Sequence, residues 1–161
     1  MKAFSDEDIK AALLAEAIAL TYGVSPVEAN SIKKSVVLHD IGKFAIPSYI
    51  INKPENLTSS EFAIMKTHTV LGANMLSGLR GDYKEMAIDI CLCHHERYDK
   101  KGYWGIDLSE LPYYVAIAGI SDVYVALTTK RPYKKAWTYH KSAVFTRGQP
   151  LLRLSPTRKR H

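Results

Sequence analysis

The sequence predicts an all-α protein, a compact helical bundle of about six helices. Helix start and stop signals recur along the chain, and no segment shows the sustained two-residue alternation of a half-buried strand. A length of 161 residues suits one domain with a single core. Hydrophobic residues make up 47% and charged residues 24%, which argues against disorder, fibrous repeats and a disulfide scaffold.

The first two helices are marked by their caps. Ser5, followed three residues later by Asp8, begins an apolar run that ends at Gly23. The second helix begins after Ser25, where a proline occupies the first helical position, and we expect it to reach about Ile41.

Four further helices follow. A capping box formed by Thr58 and Glu61 begins the third, Asp82 begins the fourth, and Pro112 begins the long fifth helix. The last helix runs from about Lys134. These helices are predicted to span about 58–75, 82–94, 112–129 and 134–147, with loops over 44–54 and 98–111.

Charge is distributed unevenly. The chain has 22 basic and 16 acidic residues, a net charge of +6, but the segment 130–161 contains no acidic residue. We therefore divide the chain into a helical domain, 1–148, and a basic, loosely ordered tail, 149–161. A solvated terminus is a commoner explanation of such a tail than nucleic-acid binding, so we expect no specific nucleic-acid partner.

The cellular compartment is predicted from what the sequence lacks. No apolar run approaches the roughly 20 residues that span a bilayer, and the first residues do not have a signal-peptide pattern. The two cysteines cannot form a secreted-type disulfide framework. We expect a cytoplasmic protein without a membrane segment.

Histidines and aspartates recur at the spacing of one helix plus its connection. The gaps from Asp40 to His68, from His68 to His94 and from His95 to Asp122 are 28, 26 and 27 residues. An antiparallel bundle can bring such residues to one level. His39, directly before Asp40, is added to this set. The candidates are therefore His39, Asp40, His68, His94, His95 and Asp122.

Each candidate taken alone has an ordinary explanation. A lone His68 is more often a core or surface histidine, and histidines at a helix end are favoured by the helix dipole. Asp122 lies in an apolar helix, where an unpaired carboxylate is costly. Taken together, the six residues favour a shared metal centre, and imidazole mixed with carboxylate suits Fe, Mn or Zn. Cys91 and Cys93 point in nearly opposite directions on a helix and are better explained as small buried residues.

Several segments match a known family. Leu-His-Asp-Ile-Gly-Lys at 38–43 resembles the signature of the HD phosphohydrolase superfamily. His-His-Glu-Arg-Tyr-Asp at 94–99, Asp-Val-Tyr at 122–124 and Arg-Pro-Tyr-Lys at 131–134 narrow the resemblance to the HD-GYP class, associated with hydrolysis of cyclic di-GMP. The resemblance covers about residues 25–137.

The resemblance implies a bundle of the HD-domain type and a metal-dependent phosphodiesterase. A hydroxide activated by two metal ions would hydrolyse cyclic di-GMP to pGpG or GMP. Fe or Mn is favoured, with Zn or Ni as alternatives. The six candidates above would be the metal ligands, with Asp40 as the bridging ligand, and Asp40 and Lys43 would be catalytic.

The resemblance implies that Lys43, Arg131 and Lys134 would contact the substrate phosphates. Tyr103 in the loop is a further substrate-binding candidate, by stacking on a guanine base, with packing inside the loop as the alternative. The partners would be a cyclic dinucleotide and signalling domains.

Three departures from the family pattern leave an alternative open. Trp104 stands where the family has proline, which we expect to loosen or reshape the loop, and Val125 replaces a second acid. Glu7 stands near the position of a histidine ligand of the family; it is a tentative metal ligand and more simply a solvated acid in the first helical turn. The alternative is a catalytically degenerate domain that senses a cyclic dinucleotide or binds another protein. A third hypothesis, a nucleotide monophosphate as substrate, is disfavoured by the segment 131–134.

Overall fold

The computed structural model describes residues 4–130 and 136–148. Two short 3₁₀ helices, Ile41–Ala45 and Leu108–Glu110, lie between the α-helices. The α-helices are α1 (Asp6–Thr21), α2 (Pro26–Val36), α3 (Ser48–Ile51), α4 (Ser59–Lys66), α5 (His68–Leu76), α6 (Lys84–Cys93), α7 (Tyr113–Thr128) and α8 (Tyr139–Gly148). No strand occurs over these ranges. The predicted all-α class is therefore confirmed.

Three predicted helix starts are confirmed by their caps. Ser5 and Asp8 form a capping box at α1, and Thr58 and Glu61 form another at α4. The side chain of Ser25 accepts a hydrogen bond from the third residue of α2, next to a proline in the first turn. These local signals place the helix starts correctly because each one satisfies backbone N–H groups that would otherwise lack partners.

Other boundaries differ from the prediction. The helix expected over 58–75 is broken at Thr67 into α4 and α5, and α2 ends at Val36 rather than near residue 41. Asp82 is not the cap of α6, because Tyr83 occupies that position without a side-chain hydrogen bond. The last helix begins at Tyr139, and its expected start at Lys134 lies outside the described residues.

The main core is formed between α1, α2, α6 and α7. Alanines of α1 pack against large aliphatic side chains such as Ile32, Ile90 and Ile117, which are less than 2% exposed. Small residues on α1 allow the helices to approach closely. The buried apolar area holds α2, α6 and α7 in fixed relative positions, and these helices carry or precede most of the candidate site residues.

Two glycines bring the turn after α2 against α5. A Cβ atom on Gly42 would lie 1.8 Å from the backbone oxygen of His68, and one on Gly72 would lie 2.4 Å from Sγ of Cys91. Only a residue without a side chain fits at either position. This close approach brings Asp40 and His68 to the same place.

The predicted basic tail, 149–161, lies outside the described residues. Within the described ranges, no helix is both long and apolar enough to cross a bilayer.

Candidate metal centre

The six predicted ligands converge on one site from four elements. His39 and Asp40 lie in the turn that follows α2, and His68 is the first residue of α5. The paired histidines directly follow α6, and Asp122 lies in α7. We call these residues the His–Asp cluster: His39, Asp40, His68, His94, His95 and Asp122.

Asp40 lies at the centre of the His–Asp cluster. Its Oδ1 atom is 3.2 Å from Nε2 of His68 and 3.8 Å from Nε2 of His94. Its Oδ2 atom is 3.4 Å from Nε2 of His39, which in turn lies 3.7 Å from Oδ1 of Asp122. Asp40 therefore faces three imidazole nitrogens.

Three of the imidazoles are oriented by backbone carbonyl groups. Nδ1 of His39 lies 2.7 Å from the oxygen of Val36, and Nδ1 of His68 lies 2.8 Å from that of Met65. Nδ1 of His94 lies 3.0 Å from the oxygen of Ile90. Such a bond places the proton on Nδ1 and leaves the Nε2 lone pair directed into the cluster, the arrangement found around metal-binding histidines.

The atoms that face each other across the cluster do not satisfy one another. The Nε2 atoms of His39, His68 and His94 and the Oδ1 atom of Asp40 are buried without a hydrogen-bond partner among the described residues. Four unpartnered polar atoms in one buried place are costly, whereas bound divalent cations would satisfy them. The residues therefore fit a metal site.

Two sets of neighbouring ligand atoms consist entirely of predicted residues. One group contains Asp40, His68, His94 and His95, and the other contains His39, His94 and Asp122, with the atoms of each group within 4.8 Å of one another. Each group offers ligand atoms for a cation, and His94 belongs to both.

The carboxylates of the cluster are ionised. Burial alone would raise the pKa of Asp40, but the neighbouring His68 imidazole, His39 and Lys43 lower it well below its usual value. Burial opposes ionisation of Asp122 as well, yet the nearby His39 lowers its pKa to about 2. Two partly buried negative charges provide the electrostatic field that attracts a cation.

The paired histidines are neutral. Burial lowers the pKa of His95 to about 4 and, together with the adjacent His95, lowers that of His94 well below its usual value. His39 behaves differently: burial lowers its pKa, but Asp122 and Asp40 outweigh burial and raise it to about 9. Neutral imidazole is the form that binds a metal, so a cation bound at His39 would displace the proton that Asp122 and Asp40 hold there.

An acidic residue of α1 also reaches the cluster, and it is not the one we expected. Asp8 forms a third group with His39 and Asp40, whereas the tentative ligand Glu7 is in none of the groups. Both residues line a cavity of about 670 Å³ that opens beside Asp40 and Asp122.

The proposed substrate-contacting residues are only partly within the described ranges. Nζ of Lys43 donates a hydrogen bond to Oδ2 of Asp40 and lines the same cavity. The ring of Tyr103 lies over His95, with 4.2 Å between ring centroids. Arg131 and Lys134 lie outside the described residues.

The loop that follows the paired histidines is held by contacts that the sequence analysis missed. Glu96, only 1% exposed, accepts hydrogen bonds from the backbone N–H groups of Trp104 and Ile106, both at 2.8 Å. The indole Nε1–H of Trp104 donates to Oγ1 of Thr69 at 3.2 Å. The expected loosening by Trp104 is therefore not what the structure shows, since its indole attaches the loop to α5. The position of Glu96 directly after two histidines was a sequence signal for its role. No feature of the sequence around Thr69 indicated its contact with Trp104.

The two cysteines behave as the sequence predicted. Both are buried and free, and burial raises the pKa of Cys91 to about 12 and that of Cys93 to about 11. Protonated thiols are poor metal ligands.

Comparison with known proteins identifies the family of the chain. The sequence profile of the HD domain matches residues 2–145. The cyclic di-GMP phosphodiesterase response regulator RpfG of Xanthomonas campestris is 38% identical over 133 residues, which cover 82% of this chain and 35% of RpfG. The 3'3'-cGAMP-specific phosphodiesterase 2 of Vibrio cholerae is 38% identical over 130 residues, which cover 80% of this chain and 25% of that protein.

A solved structure, described as an HDG"Y"P protein from Bdellovibrio bacteriovorus, shares the fold. Its TM-score is 0.69 at 18% identity, and the match covers 88% of this chain and 45% of that one. The chain belongs to the HD domain family. Within that family, its curated relatives confirm the resemblance to the HD-GYP class that the motifs indicated.

Proposed function

We propose that this chain is a metal-dependent phosphodiesterase domain that hydrolyses cyclic di-GMP to pGpG or GMP. The observation that carries the proposal is the set of buried, unpartnered ligand atoms on His39, Asp40, His68 and His94. The names of the relatives supply the substrate class, since RpfG is a cyclic di-GMP phosphodiesterase and another relative is specific for 3'3'-cGAMP.

The His–Asp cluster would hold two divalent cations. Asp40 belongs to the group with three histidines and also lies beside His39, which supports a bridging position for its carboxylate. Imidazole and carboxylate donors favour Fe or Mn, with Zn or Ni as alternatives. When bound, such cations lower the pKa of a water molecule and so supply hydroxide at neutral pH.

The residues around the cluster would bind and orient the substrate. Lys43 carries a partly exposed ammonium group beside Asp40 and would hold a phosphate oxygen while charge develops on it. Arg131 and Lys134 are proposed to contact the second phosphate, and the ring of Tyr103 to contact a base. The cavity of about 670 Å³ beside Asp40 lies within the size range of ligand pockets.

We also propose partner domains and domain boundaries for this protein. The chain spans 35% of RpfG and 25% of the Vibrio cholerae relative, so signalling partner domains would supply regulation. We further propose that residues 1–148 are the functional domain and that 149–161 are a basic tail.

Turnover tests this proposal directly. The 161-residue chain, loaded with Mn²⁺ or anaerobically with Fe²⁺, is incubated with cyclic di-GMP, and the products are separated by chromatography. We expect linear pGpG or GMP, and no product from a variant with His39→Ala and Asp40→Ala. Binding of cyclic di-GMP by metal-loaded protein without any product would overturn the phosphodiesterase proposal in favour of a sensor.

A second assay tests substrate specificity. Turnover of cyclic di-GMP is compared with that of 3'3'-cGAMP, the substrate named for one relative, and with that of a linear dinucleotide. Faster turnover of 3'3'-cGAMP than of cyclic di-GMP would contradict the proposed substrate while leaving the metal centre intact.

A further inference from the structure

The loop that carries Tyr103 and Trp104, here called the aromatic loop, lies beside the candidate metal centre and contains a restraint that the proposed function does not use. We propose that Trp104, acting through Tyr103, is a positioning residue that fixes the orientation of the His95 ring. The inference rests on the proposed function in taking His95 as a metal ligand.

His95 differs from its neighbours in how its ring is held. His39, His68 and His94 each place Nδ1 against a backbone carbonyl oxygen, as described above. Within the described ranges, the ring of His95 makes no such hydrogen bond and is held by ring contacts. The centroids of His94 and Tyr103 lie 3.9 and 4.2 Å from that of His95. A ligand without a hydrogen-bonded second nitrogen needs another restraint to keep its donor atom directed at the cation.

Tyr103 is held in place on its other sides. The ring of Phe62 meets it edge to face at 5.7 Å, and Nζ of Lys66 lies 5.6 Å from its centroid. The ring of Tyr103 is tilted by 34° from that of His95 at 4.2 Å between centroids, so the two rings are in close contact and not in an edge-to-face arrangement. The position of Tyr103 therefore restricts rotation of His95 about its χ2 angle.

Trp104 attaches the loop at two points. Its backbone N–H donates to Glu96, the residue directly after His95, and its indole N–H donates to Thr69, the residue directly after His68. Thr69 is completely buried, whereas Trp104 is 44% exposed. Because packing alone does not bury the indole, the hydrogen bond to Thr69 is the contact that fixes it.

This arrangement gives the departure from the family motif a physical role. A proline at position 104 would have neither an indole nor a backbone N–H, and both hydrogen bonds would be lost. The chain thus restrains the loop with two hydrogen bonds where the family uses a fixed φ angle.

Metal affinity tests the inference without any need for turnover. Co²⁺ alone is titrated into apo protein and followed by its visible absorption, which depends on ligand number and geometry. We expect Trp104→Phe and Thr69→Val each to weaken Co²⁺ binding by about 10-fold, the lower end of the effect of losing a group that orients a ligand. The double variant is expected to bind no more weakly than the weaker of the two, because both changes remove the same hydrogen bond.

Two variants serve as matched controls. Trp137→Phe makes the same chemical change at the other tryptophan, which packs against Phe145 of α8, and is expected to leave Co²⁺ affinity unchanged. Thr69→Ser keeps the hydroxyl group and is expected to restore the affinity that Thr69→Val loses. If Trp104→Phe does not fold, Trp104→Leu, which lacks the same indole N–H, takes its place, because Thr69→Val also removes the hydrogen bond that Oγ1 of Thr69 donates to the backbone oxygen of Lys66.

Three results would overturn the inference. These are wild-type affinity in Trp104→Phe, equal losses in Trp104→Phe and Trp137→Phe, and equal affinities for Thr69→Ser and Thr69→Val. The outcome is separable from that of the proposed function, because Co²⁺ affinity is measured in the absence of substrate. If the wild-type chain binds Co²⁺ but does not hydrolyse cyclic di-GMP, only the proposed function is contradicted. If it binds no Co²⁺, the proposed function and the role of Trp104 are both contradicted.

Discussion

The backbone of Gly42 lies directly against the backbone oxygen of His68. A Cβ atom at position 42 would be 1.8 Å from that oxygen and 2.5 Å from the backbone nitrogen of Gly72. The contact holds the turn that carries Asp40 against the start of α5. The geometry of the candidate metal centre therefore depends on a residue with no side chain.

Replacement of Gly42 by alanine should destabilise the fold. The added methyl group meets backbone atoms that cannot rotate away, so we expect the free energy of unfolding to fall by about 3 kcal/mol. Urea unfolding measures the change. Gly78→Ala is the matched control: a Cβ atom there meets nothing within 4 Å, and the expected change is below about 0.5 kcal/mol. Equal stability of the two variants would contradict the tight contact.

Lys43 should contribute to catalysis more than to metal binding. Lys43→Gln removes the cation beside Asp40 while keeping most of the side chain. We expect kcat/KM for cyclic di-GMP to fall by about 100-fold, the scale reported for one group that stabilises developing negative charge, with the metal content retained. Lys53→Gln, in which the lost cation pairs with Glu61 instead, should leave kcat/KM unchanged. A similar loss in both variants would argue against a specific role for Lys43.

Glu96 should be required for the order of the aromatic loop. Its buried carboxylate accepts two backbone N–H groups, and the amide of Glu96→Gln can accept only one while its NH₂ group faces the other. We expect a loss of about 1–3 kcal/mol in the free energy of unfolding and faster amide hydrogen exchange at Trp104 and Ile106. Unchanged exchange at both amides would show that the carboxylate does not hold the loop.

The ion pair between Lys53 and Glu61 gives a pH-dependent contribution to stability. The hydrogen bond from Lys53 and the backbone N–H of Thr58 lower the pKa of Glu61 from 4.5 to about 2. A lowered carboxyl pKa stabilises the fold above pH 4.5, and the contribution disappears as the pH falls towards 2. Glu61→Gln should therefore lower the urea midpoint at pH 7 and lower it less at pH 3. An equal difference at both pH values would show that ionisation of Glu61 is not responsible.

Features encoded by neighbouring residues could be predicted from the sequence. The capping boxes at Ser5 and Thr58 needed only the residue three positions on, and the convergence of Asp40, His68 and His94 needed only helix-length spacing. Features that depend on how two distant segments meet could not be predicted. Trp104 and Thr69 are 35 positions apart, and the path of the loop decides whether they meet.

The acidic residue of α1 illustrates the same limit on a smaller scale. Consecutive residues of a helix differ in direction by about 100°, so the choice between Glu7 and Asp8 depends on the rotation of α1 about its axis. Packing of α1 against α2 and α7 sets that rotation, and it directs Asp8 towards His39 and Asp40. Counting back from a family motif cannot resolve a difference of one residue.

Metal content per chain tests most directly whether the His–Asp cluster binds divalent metal ions. Protein purified without chelator under anaerobic conditions is analysed by plasma mass spectrometry, beside Asp40→Asn and the control Asp89→Asn. Asp89 accepts a hydrogen bond from Tyr114 and belongs to none of the ligand groups. We expect about two transition-metal ions per chain in the wild type and in Asp89→Asn, and a large loss in Asp40→Asn. Metal-free wild-type protein, or full occupancy in Asp40→Asn, would contradict the assignment.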